Sequence, residues 1–332
     1  MVAAVTGGAG VGSTVTAGSA AIAGAALSSR GGCAAKPIRG PEALELKMLS
    51  TAAGTVPTVQ VCIDGRGPFP FLLSTGAGSS VVVPSLAHSL HVRKGPVTAL
   101  RGVTCVPSAH SAKVKRWSMS GAELAAQHLV VADVSVAGAS TEVKGIIGSD
   151  VLARFGAVRI DYATGRLVLL GRERPAPTGD SYVLGEKRAV PPAPLAEGAE
   201  LEVGAPLRIF ETPEGTIVAV PVKISGRTTQ LAVDTGSPSS DLVPAVVPSL
   251  RLRHSGAKVA SSGIGCRGVA PAYVVGAWSL GDSPLRGSTL EARPIAGTVN
   301  SGLQGVLGSD VLASDGSVIV DYEGAHLWLV KS

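Results

Sequence analysis

The first 29 residues carry no charged side chain, and the apolar stretch from Ala20 to Leu27 is set among so many Gly, Ser and Thr residues that it does not form a convincing membrane span. A segment of this kind, ending in small residues, reads as an export leader, although it lacks the Lys or Arg that usually starts one. Cys33 follows Arg30-Gly31-Gly32. That is the place of a lipid-accepting cysteine, with Arg30 standing where a branched apolar residue is expected. Aromatic residues are scarce, at 3%, so the core is built mainly of Val, Leu, Ile and Ala, a composition that favours sheets. Charged residues make up only 16%, and the net charge of +5 is scattered, with no basic run of five. Nucleic-acid binding is therefore not expected. Neither the four cysteines nor the six histidines form a pair with ligand spacing, so no metal and no cofactor is expected.

What the chain has in quantity is apolar residues, at 45%, together with 43 Gly and 22 Pro, which imply many turns. Its 332 residues suffice for two ordinary domains or one bilobed unit. Self-similarity decides between these. Ser74-Thr75-Gly76 matches Asp234-Thr235-Gly236 at an offset of 234 − 74 = 160, and the same offset carries Val83-Pro84 onto Val243-Pro244 and Ser89-Leu90 onto Ser249-Leu250. Trp117-Ser118 matches Trp278-Ser279 with a slip of one residue. The six residues Gly148 to Ala153 recur unchanged as Gly308 to Ala313, and the closing segments Val158 to Leu169 and Val318 to Leu329 share Asp-Tyr at 161–162 and 321–322. The chain is a duplication.

Each copy reads as all β. Thr58 to Ile63 and Ile217 to Ile224 alternate as strands, turning at Asp64-Gly65 and Ser225-Gly226 into the strands that end at Ser74 and Asp234. The apolar pairs Ile146-Ile147 and Val306-Leu307 introduce short helices predicted over Ser149 to Phe155 and Ser309 to Ala313, with Ser or Asp as caps. Asp150 and Asp310 are read as such caps, and Asp161 and Asp321 as structural residues. Residues 1–36 form the leader, 37–54 a lead-in, 55–171 the first lobe, 172–214 a Pro- and Gly-rich linker with room for edge strands such as Leu207 to Phe210, and 215–332 the second lobe.

With these residues in view, the chain resembles the retropepsin-like and pepsin-like aspartic peptidases, most closely bacterial aspartyl proteases in which two retropepsin-like units are fused. The strand leading into Asp-Thr-Gly, the later Ile146-Ile147-Gly148 and Val306-Leu307-Gly308, and the terminal Asp-Tyr hairpins carry the resemblance together. It implies two tandem retropepsin-like β-barrel lobes with short helices, related by a pseudo-twofold axis, and a cleft that binds an extended peptide or unfolded protein. It also implies two carboxylates sharing one proton, one activating a water and the other stabilising the oxyanion. Carried over by residue, Asp234 is the catalytic carboxylate and Thr75 and Thr235 lock the lobes. Gly76, Gly236 and Ser237 shape the loops, while Gly148 and Gly308 support them from below.

Ser74 breaks the pattern where the chemistry lies. A serine hydroxyl hydrogen-bonds a water but does not share a proton as a carboxylate would. Asp234 also loses the like-charged neighbour that ordinarily raises its pKa. Two functions follow from this: an endopeptidase of weakened activity, in which another group, an ordered water or a second chain's Asp234 covers for the missing acid, or a pseudoprotease that binds without cutting. A Ser/His/Asp hydrolase finds no support, since no Gly-x-Ser-x-Gly elbow surrounds Ser74 and the histidines lie outside both motifs. Cys105 and Cys266 correspond at an offset of 161, about where the resemblance puts the hairpin flaps, and a disulfide joining the lobes over the cleft is expected there, with Cys62–Cys105 or free thiols as rivals. The chain is expected to be an extracytoplasmic monomer, touching a membrane only through its N-terminus or a lipid on Cys33.

Overall fold

The computed structural model describes residues 33–100, 108–136, 138–139, 142–185, 200–212, 215–285, 289–294 and 302–331. Among these, strands dominate and the α-helices are short, of four to six residues. Both hairpins at the start of the repeats form as expected. Asp64 and Gly65 have φ of 49° and 76°, and Ser225 and Gly226 have 49° and 79°. Two consecutive positive values match the right-handed twist of a two-residue hairpin, and the glycine takes the second of them without a Cβ clash. The strands Thr55–Ile63 and Gly215–Ile224 are nearly continuously buried, not alternately exposed. They lie in the middle of their sheets with both faces covered, which erases the alternation.

Around the two Thr-Gly turns the strand pairing is the same in both lobes. In the first lobe Arg66–Leu73 runs parallel to Gly145–Ile147, with Leu73 opposite Ile147. In the second, Arg227–Val233 runs parallel to Gly305–Leu307, with Val233 opposite Leu307. Each of these short strands then pairs antiparallel with the strand just beyond the Thr-Gly turn, Val81–Val82 in one lobe and Asp241–Leu242 in the other. The all-β, two-lobed fold read from the repeat is therefore present.

A third sheet of six strands joins the lobes, with Ala157–Asp161 and Gly316–Asp321 antiparallel at its centre. Ala157 faces Asp321 and Asp161 faces Ser317, so each pair maps onto the other when the repeat offset is applied. The pseudo-twofold axis passes between Arg159 and Ile319. The outer members of this sheet, Glu42–Glu45 and Glu200–Pro206, come from the segments read as lead-in and linker. The linker segment also supplies Ser181–Leu184 and Arg208–Thr212, which extend the second lobe's sheet. Apolar side chains from both lobes form one continuous core, with Phe71, Phe155, Ile160, Val220, Leu231 and Leu327 among those fully buried.

Two expectations are corrected here. The caps of the short helices are Gly148 and Gly308, which have no side chain to offer; Asp150 and Asp310 instead accept hydrogen bonds from Ser80 Oγ at 2.6 Å and Ser240 Oγ at 2.7 Å. Cys62 is bonded to Cys33. This replaces the Cys62–Cys105 alternative and uses the sulfur that a lipid on Cys33 would need. Cys105 lies outside the described residues and Cys266 opens the strand Cys266–Val274. The pairing expected between them falls where the structure is not described. Cys33–Cys62 ties the start of the described chain to a central strand across 29 residues, and closing a loop of that size stabilises a fold by about 3.5 kcal/mol. Non-reducing peptide mapping should recover the Cys33–Cys62 link, and Cys62→Ser should lower the unfolding free energy in urea by about 2–4 kcal/mol. A urea midpoint unmoved by reductant would contradict a stabilising bridge.

Candidate active site at the interlobe loops

The parallel strand pairs end together, and their last backbone bonds hold the two turns: Ser74 N–H donates to Ile147 O and Asp234 N–H to Leu307 O, both at 3.0 Å. From there the loops interlock. Thr75 Oγ1 donates to Val233 O at 2.7 Å and accepts from Thr235 N at 3.2 Å, while Thr235 Oγ1 donates to Leu73 O at 2.9 Å and accepts from Thr75 N at 3.3 Å. Both threonines are fully buried, so each of these groups would lose water without gaining a partner if the lock opened.

Gly76 and Gly236 allow this approach. A Cβ on Gly76 would lie 2.4 Å from Asp234 Cβ, and one on Gly236 would lie 2.6 Å from Ser74 Cβ. Beneath the loops, Gly148 and Gly308 make similarly close contact, each 2.5 Å from a loop carbonyl if given a Cβ, those of Ala77 and Ser239. Ser237 O accepts from Ser309 N at 2.8 Å, and its hydroxyl donates to Ser239 O, which fixes the loop beyond Gly236.

A second, crossed pair of contacts was not read from the sequence. Ser149 Oγ donates to Thr75 O and Ser309 Oγ to Thr235 O, both at 2.7 Å. Each serine also meets a tyrosine from the other lobe: Tyr322 OH lies 2.8 Å from Ser149 Oγ, and Tyr162 OH lies 3.0 Å from Ser309 Oγ. The Asp-Tyr repeat held the signal. Its aspartates bind the following turns, Asp161 through Thr164 N and Asp321 through Glu323 N and Gly324 N, while its tyrosines cross the axis.

At the centre, Ser74 Oγ donates to Asp234 Oδ1 at 2.7 Å. The same oxygen accepts from Gly236 N at 2.8 Å and Gly76 N at 3.4 Å, and Ser74 Oγ accepts from Ala77 N at 2.9 Å. Burial pushes the Asp234 carboxyl above its ordinary pKa, opposed by these hydrogen bonds and by the positive charge of Arg293. The expectation that losing a second carboxylate removes the cause of a raised pKa is thus corrected. Desolvation alone suffices.

Arg293 belongs to a buried charged group that the motifs did not reveal. Its Nε donates to Asp241 Oδ2 at 2.5 Å, and Asp241 lies opposite Glu291 in the parallel pairing of Asp241–Leu242 with Thr289–Ala292. Glu291 Oε1 accepts from Ser239 Oγ at 2.6 Å. Burial pushes Asp241 up to about 6 in spite of Arg293. The first lobe's equivalents are apolar: Val81 stands for Asp241, Val130 for Glu291 and Ala132 for Arg293, as the matching bonds Ala132 N to Val82 O and Arg293 N to Leu242 O confirm.

Arg293, Ser74 and Asp234 line one small cavity of about 40 Å³, with Leu72, Ala77, Val134 and Ile146 on the first lobe's side. No histidine lines it. Its roof is the second lobe's hairpin, Arg253–Gly263 with Cys266–Val274, whose tip is tied to the first lobe by Gly265 N to Asp133 O at 3.0 Å and Ser135 N to Gly263 O at 3.3 Å. That volume holds a water or two and is far below the several hundred cubic ångströms of a ligand pocket. Among the described residues, no group of three or more His, Cys, Asp or Glu is arranged to hold a metal ion, and no helix is long and apolar enough to cross a membrane.

Residues 59–151 match the family model described as aspartyl protease. The matched segment lies within the first lobe and is similar to that family. Among solved structures, it is similar to the aspartic proteinase from Irpex lacteus, at 10% identity and a TM-score of 0.43, over 88% of this chain and 97% of that one. No curated protein matches it.

The threonine lock gives a direct test. Thr75→Val keeps the shape but leaves Val233 O and Thr235 N without their partner, and should lower stability in a urea titration by about 2–4 kcal/mol. A loss below about 1 kcal/mol would show the lobes to be held by other contacts. The buried acids give a second. Burial raises Asp150, Asp234, Asp241, Asp310 and Asp321. Between 3.8 and about 6, the folded Asp241 binds a proton that the unfolded chain has released, so the stability it contributes is complete below that window and lost as pH rises through it. The melting temperature should therefore be higher at pH 5 than at pH 7, and Asp241→Asn should flatten the difference.

Proposed function

We propose that this protein binds an extended peptide or unfolded segment in the cleft between its lobes and hydrolyses it far more weakly than a two-carboxylate site would. The observation that carries this reading is the hydrogen bond from Ser74 Oγ to Asp234 Oδ1. In the paired-carboxylate mechanism one carboxylate takes a proton from water while its protonated partner faces the forming oxyanion. Ser74 occupies the partner's place and satisfies Asp234, but it holds its own proton too tightly to exchange it at neutral pH. Removing one member of a general acid–base pair lowers the rate by about 10²–10⁴-fold. The binding geometry has no such defect, since both loops, the lock and the roofing hairpin are in place.

The roof rests on Asp133–Ser135 in the closed form, and a peptide enters by lifting the hairpin tip away from that segment. Both lobes come from one chain, which supports a monomer as the working unit. The Cys33–Cys62 bond supports an oxidising, extracytoplasmic setting.

An unstructured protein substrate offered to wild type, Ser74→Asp and Asp234→Asn separates the parts of this reading. Wild type should bind it, and Ser74→Asp should cut it at acid pH at least about 10² times faster than wild type. Failure of every variant to bind would sink the peptide-cleft reading, and a Ser74→Asp rate equal to wild type would show that position 74 does not limit hydrolysis.

A further inference from the structure

The second lobe keeps a cation beside its surviving carboxylate at a place where the first lobe keeps none. Asp241, Glu291 and Arg293 are all buried, and in the duplicated lobe the same backbone is built with Val81, Val130 and Ala132. The fold does not require the charges. A buried ion pair is often no more stabilising than apolar residues of similar volume, so its presence calls for a reason other than packing. Its location supplies one: Arg293 lines the cavity that holds Ser74 and Asp234, and Asp241 fixes its guanidinium through Nε.

We propose that Arg293 is a catalytic residue that stabilises the oxyanion in place of the missing acid, so that Asp234 and Arg293 together form a one-carboxylate peptidase site. The inference rests on the peptide-cleft reading and adds a route for its residual hydrolysis. Asp234 Oδ1 is occupied by Ser74 Oγ and Gly236 N, which leaves Oδ2 to hold a water. In the first step Oδ2 takes a proton from that water as the water oxygen forms a bond to the scissile carbonyl carbon. The carbonyl π electrons move onto its oxygen, and that oxyanion faces Arg293. In the second step Asp234 delivers the proton to the amide nitrogen as the C–N bond breaks, giving a carboxylic acid and an amine. Asp234 returns to its starting form, and Arg293 keeps its protons throughout. A raised pKa suits the carboxyl to this shuttle, because it binds the water's proton more readily than an exposed aspartate would.

The test uses the full chain, an unstructured protein substrate with cut sites read by mass spectrometry, and binding read separately by fluorescence anisotropy. Arg293→Ala alone leaves Asp241 buried without its cation, so the decisive variant is Asp241→Val/Arg293→Ala, which copies the first lobe's residues. Wild type should cut slowly, Asp234→Asn should abolish the cutting, and the double variant should melt cooperatively and bind peptide while kcat falls about 10²–10³-fold with little change in KM. Arg293→Lys, which retains a cation, should recover part of the rate. Wild type that binds peptide but shows no Asp234-dependent cutting overturns the proposal, as does a folded double variant that cuts as fast as wild type. Absence of binding by wild type would instead remove the peptide-cleft reading beneath it.

Discussion

The two lobes are held in register at the candidate site by the reciprocal bonds of Thr75 and Thr235, which set the neighbouring Ser74 and Asp234 facing each other. Each hydroxyl spans the axis to a carbonyl of the opposite incoming strand and accepts from the opposite threonine amide. Because each bond joins a buried threonine hydroxyl to a buried main-chain group, the lobes cannot separate locally without stranding polar atoms. The crossed Tyr162–Ser309 and Tyr322–Ser149 contacts add a second tier, made by a tyrosine of one lobe to a short helix of the other. The distance between Ser74 and Asp234 thus rests on side-chain-to-backbone bonds made by the residues next to them.

The likeness of the two lobes also provides an internal control. Where the lobes agree, as in the parallel strand pairs and the Gly148 and Gly308 contacts, the shared residues are what the backbone requires. Where they differ with the backbone unchanged, the difference is not explained by folding. Two such differences meet in one cavity: a serine at position 74 where the other lobe has Asp234, and a cation at Arg293 where the first lobe has Ala132. Both charged groups of that cavity thus come from the second lobe.

The turns were legible because the repeat prints each of them twice, whereas the threonine lock and the twofold axis came from the family resemblance that those repeated motifs carry. Ser74-Thr75-Gly76 is informative only beside Asp234-Thr235-Gly236, and the closing hairpins reveal their axis only when Ala157–Asp161 and Gly316–Asp321 are found paired. What escaped was the crossed Tyr162–Ser309 and Tyr322–Ser149 contacts, which join residues far apart in the chain, and the features that appear in one copy alone. Asp241 and Arg293 are 52 residues apart and meet through strand pairing that no local pattern encodes. A trace was present, since Asp241 stands at the repeat position of Val81 in an otherwise apolar strand. The Cys33–Cys62 bond was hidden for the same reason: neither cysteine has a counterpart in the second lobe, and the spacing that drew attention to Cys105 and Cys266 said nothing about them. The raised pKa of Asp234 depends on its burial, a property of the assembled loops.

The serine itself is well accommodated, and that bears on why the fold tolerated it. Two carboxylates at this separation cannot both ionise, so an intact pair stores repulsion or must hold a proton between them. With Ser74 the same space contains a hydroxyl that accepts from Ala77 N and donates to Asp234 Oδ1, and no buried polar atom of either residue is left unpaired. A serine at position 74 therefore avoids the repulsion that a second carboxylate would bring there, while keeping the loop geometry that the threonine lock imposes. Between the loops stands the carboxylate of Asp234 in a symmetric frame, its pKa raised by burial and lowered in part by the guanidinium of Arg293, which lines the same cavity.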